Sequence, residues 1–257
     1  MQFLSHIGHT TLRFLQLIGE FSCFLAKTIS AGCTYPWYPR LVLRQCMNIG
    51  FYSLPVVGMT ALFSGMVLAL QSYTGFSRFQ AEGAIATVVV LSMTRELGPV
   101  LAGLMVAGRV GASIAAEIAT MRVTEQIDAL TTLSTNPFKY LIFPRFLAGL
   151  ITLPVLVLIA DSIGVLGGYF VSIYYLNFNK SVYLTQTLHY LEVSDVISGL
   201  IKAMVFGGII TIMGCFHGYN SSKGAEGVGK ATTQAVVTAS IFILIFNYIL
   251  TAMLFTK

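Results

Sequence analysis

Five apolar runs limit what this chain can fold into. They cover roughly residues 49–72, 84–116, 144–175, 195–217 and 231–255, each above the ~18 residues needed to cross a bilayer as a helix. In hydrocarbon every backbone N–H and C=O must find its partner inside the segment, so such runs are helical. The composition agrees, with 56% hydrophobic and 10% charged residues against about a quarter charged in soluble domains. The fold class expected is an all-α membrane protein with five transmembrane helices. An odd number of spans puts the two termini on opposite sides.

The basic excess of +5 lies in loops beside the spans. If the N-terminus is inside, the inner loops carry Arg13, Lys27, Arg40, Arg44, Arg122, Lys139, Arg145, Lys223 and Lys230. The outer loops carry Arg78, Lys180 and Lys257. That asymmetry predicts N-in, C-out topology and accounts for the charge without nucleic acid. Cys23, Cys33, Cys46 and Cys215 lack CxxC spacing, and His6, His9, His189 and His217 are scattered. Neither a disulfide framework nor a metal site is expected, and no cofactor in this chain.

Arg13, Glu20 and Lys27 recur every seven residues and interrupt the first apolar stretch. The pattern suits a helix lying in the membrane interface better than one crossing it, where three ionisable groups would be buried. Tyr35-Pro36-Trp37-Tyr38-Pro39 ends it, because proline cannot continue a helix and the aromatic rings suit the headgroup layer. Residues 1–39 are therefore expected as an N-terminal interfacial amphipathic helix with a Pro/aromatic break, and 40–257 as one membrane domain. No cleaved leader or transit segment is evident.

Three features in the middle of the chain bear on function. Arg95 and Glu96 lie side by side inside the second span, about 100° apart around a helix, so they cannot simply face each other. Each must meet another partner or a wet cavity: either they line a cavity, or they belong to a buried network tied to a residue such as Asp161. Small residues at Gly103, Ala107, Gly111, Ala115 and Ala119, with Gly108, Ala112 and Ala116 beside them, let helix backbones approach closely. Such a ladder seats a dimer or packs spans within one subunit. Val123, Ile127, Leu130 and Leu133, with Glu125, Gln126 and Asp128 around them, form a short amphipathic helix ended near Asn136-Pro137. It is an ordinary loop helix, or one that docks into a soluble partner. Asp161 and Lys202, inside later spans, either pair across helices or edge a wet cavity.

The segment Arg95–Leu130, RELGPVLAGLMVAGRVGASIAAEIATMRVTEQIDAL, resembles the signature of the MlaE/YrbE-type permeases, membrane subunits of lipid-transporting ABC systems. A second matching block runs from Gly218-Tyr219-Asn220 to Ala235-Val236-Val237, with shorter matches at Pro144-Arg145-Phe146 and Gly65–Gln71. The resemblance covers nearly everything after about residue 40. It implies an N-terminal interfacial helix, five spans and a homodimer in a bacterial inner membrane. It also implies a separate cytoplasmic ATPase docked on a coupling helix at Thr124–Leu133, including Thr124, Glu125, Gln126, Ile127, Asp128 and Leu130. An MCE-domain binding protein would sit outside, and a lipid pocket would hold Leu68, Gln71, Arg95 and Glu96, with Phe79 as a looser counterpart to a pocket aromatic.

Gly224–Lys230 fits GxxxxGK, but Ala231 stands where a phosphate-binding loop needs Ser or Thr, and no strand is expected before it. The energy source is therefore expected in another chain, and this chain is expected to be no enzyme. The main alternative is an ion- or proton-coupled transporter relaying protons through Arg95, Glu96, Asp161 and Lys202, although no inverted repeat is evident. A mere scaffold would leave an Arg-Glu pair inside a span without a purpose.

Overall fold

The structure, a computed structural model, describes residues 2–32, 34, 35, 38–77 and 84–255. Pro36, Trp37, Arg78 and Phe79 lie outside the described residues, so the Pro/aromatic break and the counterpart aromatic are seen only in part. Every regular element among the described residues is helical, and five apolar stretches are long enough to cross a membrane. They are Pro39–Phe76, Ala84–Val123, Phe138–Tyr174, Val193–Tyr219 and Ala225–Phe255, one for each apolar run of the sequence.

Helix α1 (Gln2–Gly32) is not among the five. Phe24, Thr28 and Ala31 are buried, while Leu15, Leu17 and Ile18 are exposed, so its C-terminal half grips the bundle by one narrow face. The grip is aromatic. Phe21 and Phe24 meet Phe216 edge-on, and Phe24 also meets Phe138 and Tyr219.

Span 1 combines α2 (Pro39–Ile49), a short 3-10 turn at Phe51–Ser53 and α3 (Leu54–Phe76). Span 2 is broken twice. It runs α4 (Ala84–Ser92), a π-helical turn at Met93–Leu97, α5 (Gly98–Val106), a second π-helical turn at Ala107–Gly111, and α6 (Ala112–Val123). The connecting α7 (Gln126–Thr132) leads into span 3, which opens with a π-helical turn at Phe138–Ile142 and continues as α8 (Phe143–Tyr174). After α9 (Lys180–Tyr190) come span 4, α10 (Val193–Tyr219), and span 5, α11 (Ala225–Phe255). The α7 connection marks one end of the bundle and the α9 connection the other.

Helix α3 packs on α8, α8 on α10 and α10 on α11, while span 2 lies across that row and touches all four. Glycine makes the closest approach possible. A methyl group at Gly149 would come 2.7 Å from the Gly207 carbonyl oxygen, and one at Gly207 would run into the Gly149 carbonyl, so α8 and α10 touch backbone to backbone. The small ladder of span 2 serves packing inside the subunit. Ala107 and Ala115 are fully buried, Gly103 lies against Phe206 and Ile243, and Gly111 faces Ile210. A methyl at Gly108, in the parallel row, would meet nothing within 4 Å among the described residues.

Span 5 is least covered. Only 11% of its apolar window is buried, against 61% for span 4, so its outer face is left for lipid or another chain.

The amphipathic loop helix is shorter than its sequence pattern. Val123 ends α6, Glu125 takes a left-handed backbone (φ 58°), and α7 starts at Gln126. Thr124 and Glu125 therefore form the turn before the helix, and Leu133 is its exposed C-cap. The GxxxxGK stretch is also resolved into helix. Lys230 stands on the surface of α11, one turn from Glu226, with which it makes an ion pair at 2.7 Å.

The backbone contact between α8 and α10 makes a prediction. Gly207→Ala should destabilise the fold by about 1–3 kcal/mol, the usual cost of overpacking. Gly111→Ala, whose methyl would meet Ile210 at an ordinary 3.5 Å, should leave stability unchanged. Thermal denaturation of both variants in mild detergent checks this.

Candidate functional site

Pro99 begins the local chemistry of span 2. Proline has no N–H, so the carbonyl four residues earlier, that of Arg95, has no helical donor there. The chain answers with the π-helical turn Met93–Leu97, a feature frequent at functional sites. The Arg95 carbonyl instead accepts a hydrogen bond from Lys202 Nζ of α10 at 2.8 Å.

Lys202 is completely buried, and an ammonium has three N–H donors to satisfy. All three are used. Besides the Arg95 carbonyl, Nζ donates to Glu96 Oε1 at 2.7 Å and to Thr251 Oγ1 at 2.8 Å. The Thr251 hydroxyl lies 2.9 Å from the same carboxylate oxygen and 2.7 Å from the Asn247 carbonyl. Asn247 Nδ2 donates to Glu96 Oε2 at 3.0 Å. One lysine thereby ties spans 2, 4 and 5 together.

Arg95 turns the other way. Its Nε and Nη2 lie 2.7 and 2.6 Å from Asp195 Oδ1, and its guanidinium stacks 4.8 Å from the Phe255 ring centre. Asp195 is fully buried at the start of α10, where it forms a reciprocal capping box with Glu192. An N-terminal helix turn favours a carboxylate there, as the dipole and the free N–H groups dictate. The four charges of Arg95, Lys202, Glu96 and Asp195 cancel. Both cations are anchored, yet Arg95 and Glu96 each keep over a third of their side chain exposed (37% and 38%). They present a zwitterionic, half-open face to whatever lies beside the spans.

Lys202 thus links the Arg95 backbone to the Glu96 carboxylate while the two side chains take different partners, and neither pairs with Asp161. That residue is buried, its Oδ1 has no hydrogen-bond partner, and a methyl at Gly98 would strike it. Lys202 pairs across helices, and among the described residues Asp161 forms no ion pair. Leu68 is half-buried in the core, whereas Gln71 is exposed on α3; among the described residues no hydrogen bond joins either to the Arg95–Glu96 network. Asp195, Asn247 and Thr251 complete the site and were not singled out from the sequence. Asp195 has a legible signal, the Glu192–Asp195 spacing of a capping box before an apolar run.

At the other end of the bundle, Arg122 reaches across the turn to Asp128 at 2.8 Å. Ile127 is buried and anchors α7, Leu130 is half-buried, and Thr124, Glu125, Gln126 and Asp128 are exposed. The surface of α7 is therefore polar, and its apolar side faces inward.

Comparison with known proteins places this architecture. A family model described as Permease MlaE matches residues 42–253. A Rickettsia felis protein described as a probable ABC transporter permease protein is 66% identical over 97% of this chain and 96% of its own length. A Synechocystis protein with a similar description is 42% identical over 84% of this chain and 82% of its own. The intermembrane phospholipid transport system permease protein MlaE of Haemophilus influenzae is 34% identical over 99% and 98%.

The charge pairing predicts a non-additive response. Glu96→Leu would strand a buried ammonium and should cost about 3–5 kcal/mol. Adding Lys202→Met removes the stranded charge and should recover most of that loss. A double-mutant cycle on unfolding in detergent measures it; additive losses would show that the pair is not coupled.

Proposed function

The chain belongs to the MlaE permease family, and from that premise we propose that it is the permease subunit of an ABC transporter that moves phospholipid, or a similar lipid, between inner and outer membranes. The observation that carries this reading is the half-open Arg95–Glu96 face within apolar spans. A two-tailed lipid needs an apolar surface for its chains and a polar spot for its headgroup. The zwitterionic face offers a donor edge to a phosphate and an acceptor to an amine. Leu68 and Gln71 on α3 would extend this pocket on its span 1 side.

On this reading the α7 end faces the cytoplasm, following the basic loops, and the membrane is a bacterial inner membrane. A separate ATPase docks on the exposed residues of α7 and the turn before it. An MCE-domain protein covers the α9 end, and a second copy of the chain covers the bare face of span 5. No cofactor is placed in this chain, and it performs no covalent step. An α7 set off by sharp turns at Glu125 and Ser134 and buttressed by Ile127 is suited to pass a rigid-body push from the ATPase into spans 2 and 3.

The ion-coupled alternative needs a continuous relay. No hydrogen bond joins Asp161 to Arg95, Glu96 or Lys202 among the described residues, which favours the ABC reading.

Two outcomes are expected. Reconstituted with its ATPase, the permease should move a fluorescent phospholipid to acceptor vesicles only with ATP. Arg95→Gln should slow it roughly 10- to 100-fold, the equivalent of one charge-assisted hydrogen bond. Transport driven by an ion gradient without ATP would overturn the proposal. Separately, Asp128→Lys with Gln126→Glu should release the ATPase from a folded permease, whereas Ile127→Asp should lower the folded yield itself. Affinity capture and size-exclusion profiles separate these two effects.

A further inference from the structure

Arg109 sits in the second π-helical turn of span 2, about 20 Å along the span from Arg95 at about 1.5 Å per residue. Its side chain is exposed and donates to Ser53 Oγ at 2.6 Å. Among the described residues it forms no ion pair. A guanidinium inside an apolar span without a counter-charge calls for an anion or water-filled space. Such space is present. A cavity of about 350 Å³ opens beside it, lined by Gln45, Asn48, Tyr52, Arg109, Ser113 and Glu117 among others.

Ile49, Val110 and Ile114 form the apolar part of the lining, and its polar part is mostly donors. Gln45 and Asn48 supply amides, Tyr52 and Ser113 hydroxyls, and Arg109 most of its five N–H groups. The one carboxylate is already spoken for, because Glu117 is held at 2.8 Å by the buried Arg145. A neighbouring cavity of about 320 Å³ shares Gln45, Asn48 and Glu117 and adds Arg44 and Arg145, so the combined space is net positive. A compact anion with several acceptor oxygens, a phosphate, satisfies such a donor set.

An apolar row starts at the same place. Tyr52, Val56, Met59, Phe63 and Val67 are exposed on span 1 at spacings that put them on one helical face. The row runs from the cavity toward the α9 end, as two acyl chains would if their phosphate were at Arg109.

We propose that the Arg109 cavity is a second headgroup site that takes the phosphate of a phospholipid on the α7 side of the membrane, with its chains along the exposed face of α3. The choice of lipid over free phosphate rests on the lipid-permease reading above. The cavity's preference for a phosphate does not.

The test uses the full-length protein in phosphatidylethanolamine/phosphatidylglycerol nanodiscs doped with a phosphatidylglycerol carrying a photoactivatable acyl chain, with adducts mapped by peptide mass spectrometry. Adducts are expected on Tyr52–Phe63. They should fall about tenfold in Arg109→Gln, the loss of a charge-assisted hydrogen bond, and stay largely intact in Arg109→Lys. Asn48→Leu and Ser113→Leu fill the cavity while keeping the arginine, and should give the same loss even where Arg109→Gln does not fold.

Equal labelling by a diacylglycerol bearing the same chain would overturn the proposal, since no phosphate would then be recognised. Arg109-dependent binding of inorganic phosphate without any α3 adduct would assign the site to the free anion and overturn the lipid. Full-yield disulfide dimers of Ser113→Cys would mean that a second copy fills the space, which also overturns it. Adducts around Leu68–Gln71 without adducts on Tyr52–Phe63 sink this site alone. Adducts at neither place sink the lipid reading itself.

Discussion

The Lys202 ammonium is the interaction on which the rest of this arrangement depends. Burying an ammonium costs several kcal/mol even after relaxation, and more where lipid rather than water surrounds the bundle. The cost is offset only because three acceptors converge on it from two other spans: the Glu96 carboxylate, the Arg95 carbonyl and the Thr251 hydroxyl. One of these exists because Pro99 denies the Arg95 carbonyl its helical donor. A proline that would weaken an isolated helix here frees a backbone acceptor, and the lysine takes it. The side chain of Arg95 is then oriented from both ends, its backbone by Lys202 and its guanidinium by Asp195.

Such convergence requires backbones to come close, and the glycines are where they do. A methyl at Gly199 would collide with the Thr94 carbonyl, so α10 passes span 2 directly against the π-helical turn. Lys202 follows one turn later on the same face of α10, which places its ammonium between spans 2 and 5. Polar network and small-residue packing are one device. With bulkier residues at these crossings the helices would stand further apart, and Lys202 would lose acceptors it cannot replace from lipid.

The spans were legible in the sequence because hydropathy integrates over twenty residues, and a few misplaced residues do not matter. Arg95 and Glu96 were legible because charge inside an apolar run is conspicuous. Their partners were not. Asn247 and Thr251 carry no charge, and α11 holds other amide and hydroxyl side chains such as Gln234 and Thr238, so no spacing marks these two as ligands of a carboxylate on another span. The choice of Lys202 over Asp161 as the partner is a matter of helix rotation, which periodicity leaves open. Helix α7 was read too long because Val123 and Leu133 keep the apolar rhythm across a turn. The left-handed backbone at Glu125 breaks the helix there without any glycine to announce it. The π-helical turns were invisible for the opposite reason: each adds one residue to one turn, too little to disturb a hydrophobic pattern.

Both intramembrane arginines of span 2 lie in those π-helical turns, yet their electrostatics differ, and under the proposed function the difference has a consequence. Arg95 already has a buried carboxylate against it, so an arriving phosphate gains only what it adds beyond Asp195. A headgroup bound there is held by geometry and one free guanidinium edge, and it leaves when the geometry changes. Among the described residues Arg109 donates only to a hydroxyl, and the Glu117 carboxylate in the same cavity is held by Arg145, so an anion there meets a guanidinium with no ion-pair partner of its own. A site of the second kind collects a headgroup, and a site of the first kind passes it on. A transporter needs both behaviours, because cargo that is never held is not selected and cargo that is never released is not moved. Span 2 carries the two about 20 Å apart, on one span whose α7 end is continuous with the turn that the proposed function assigns to an ATPase.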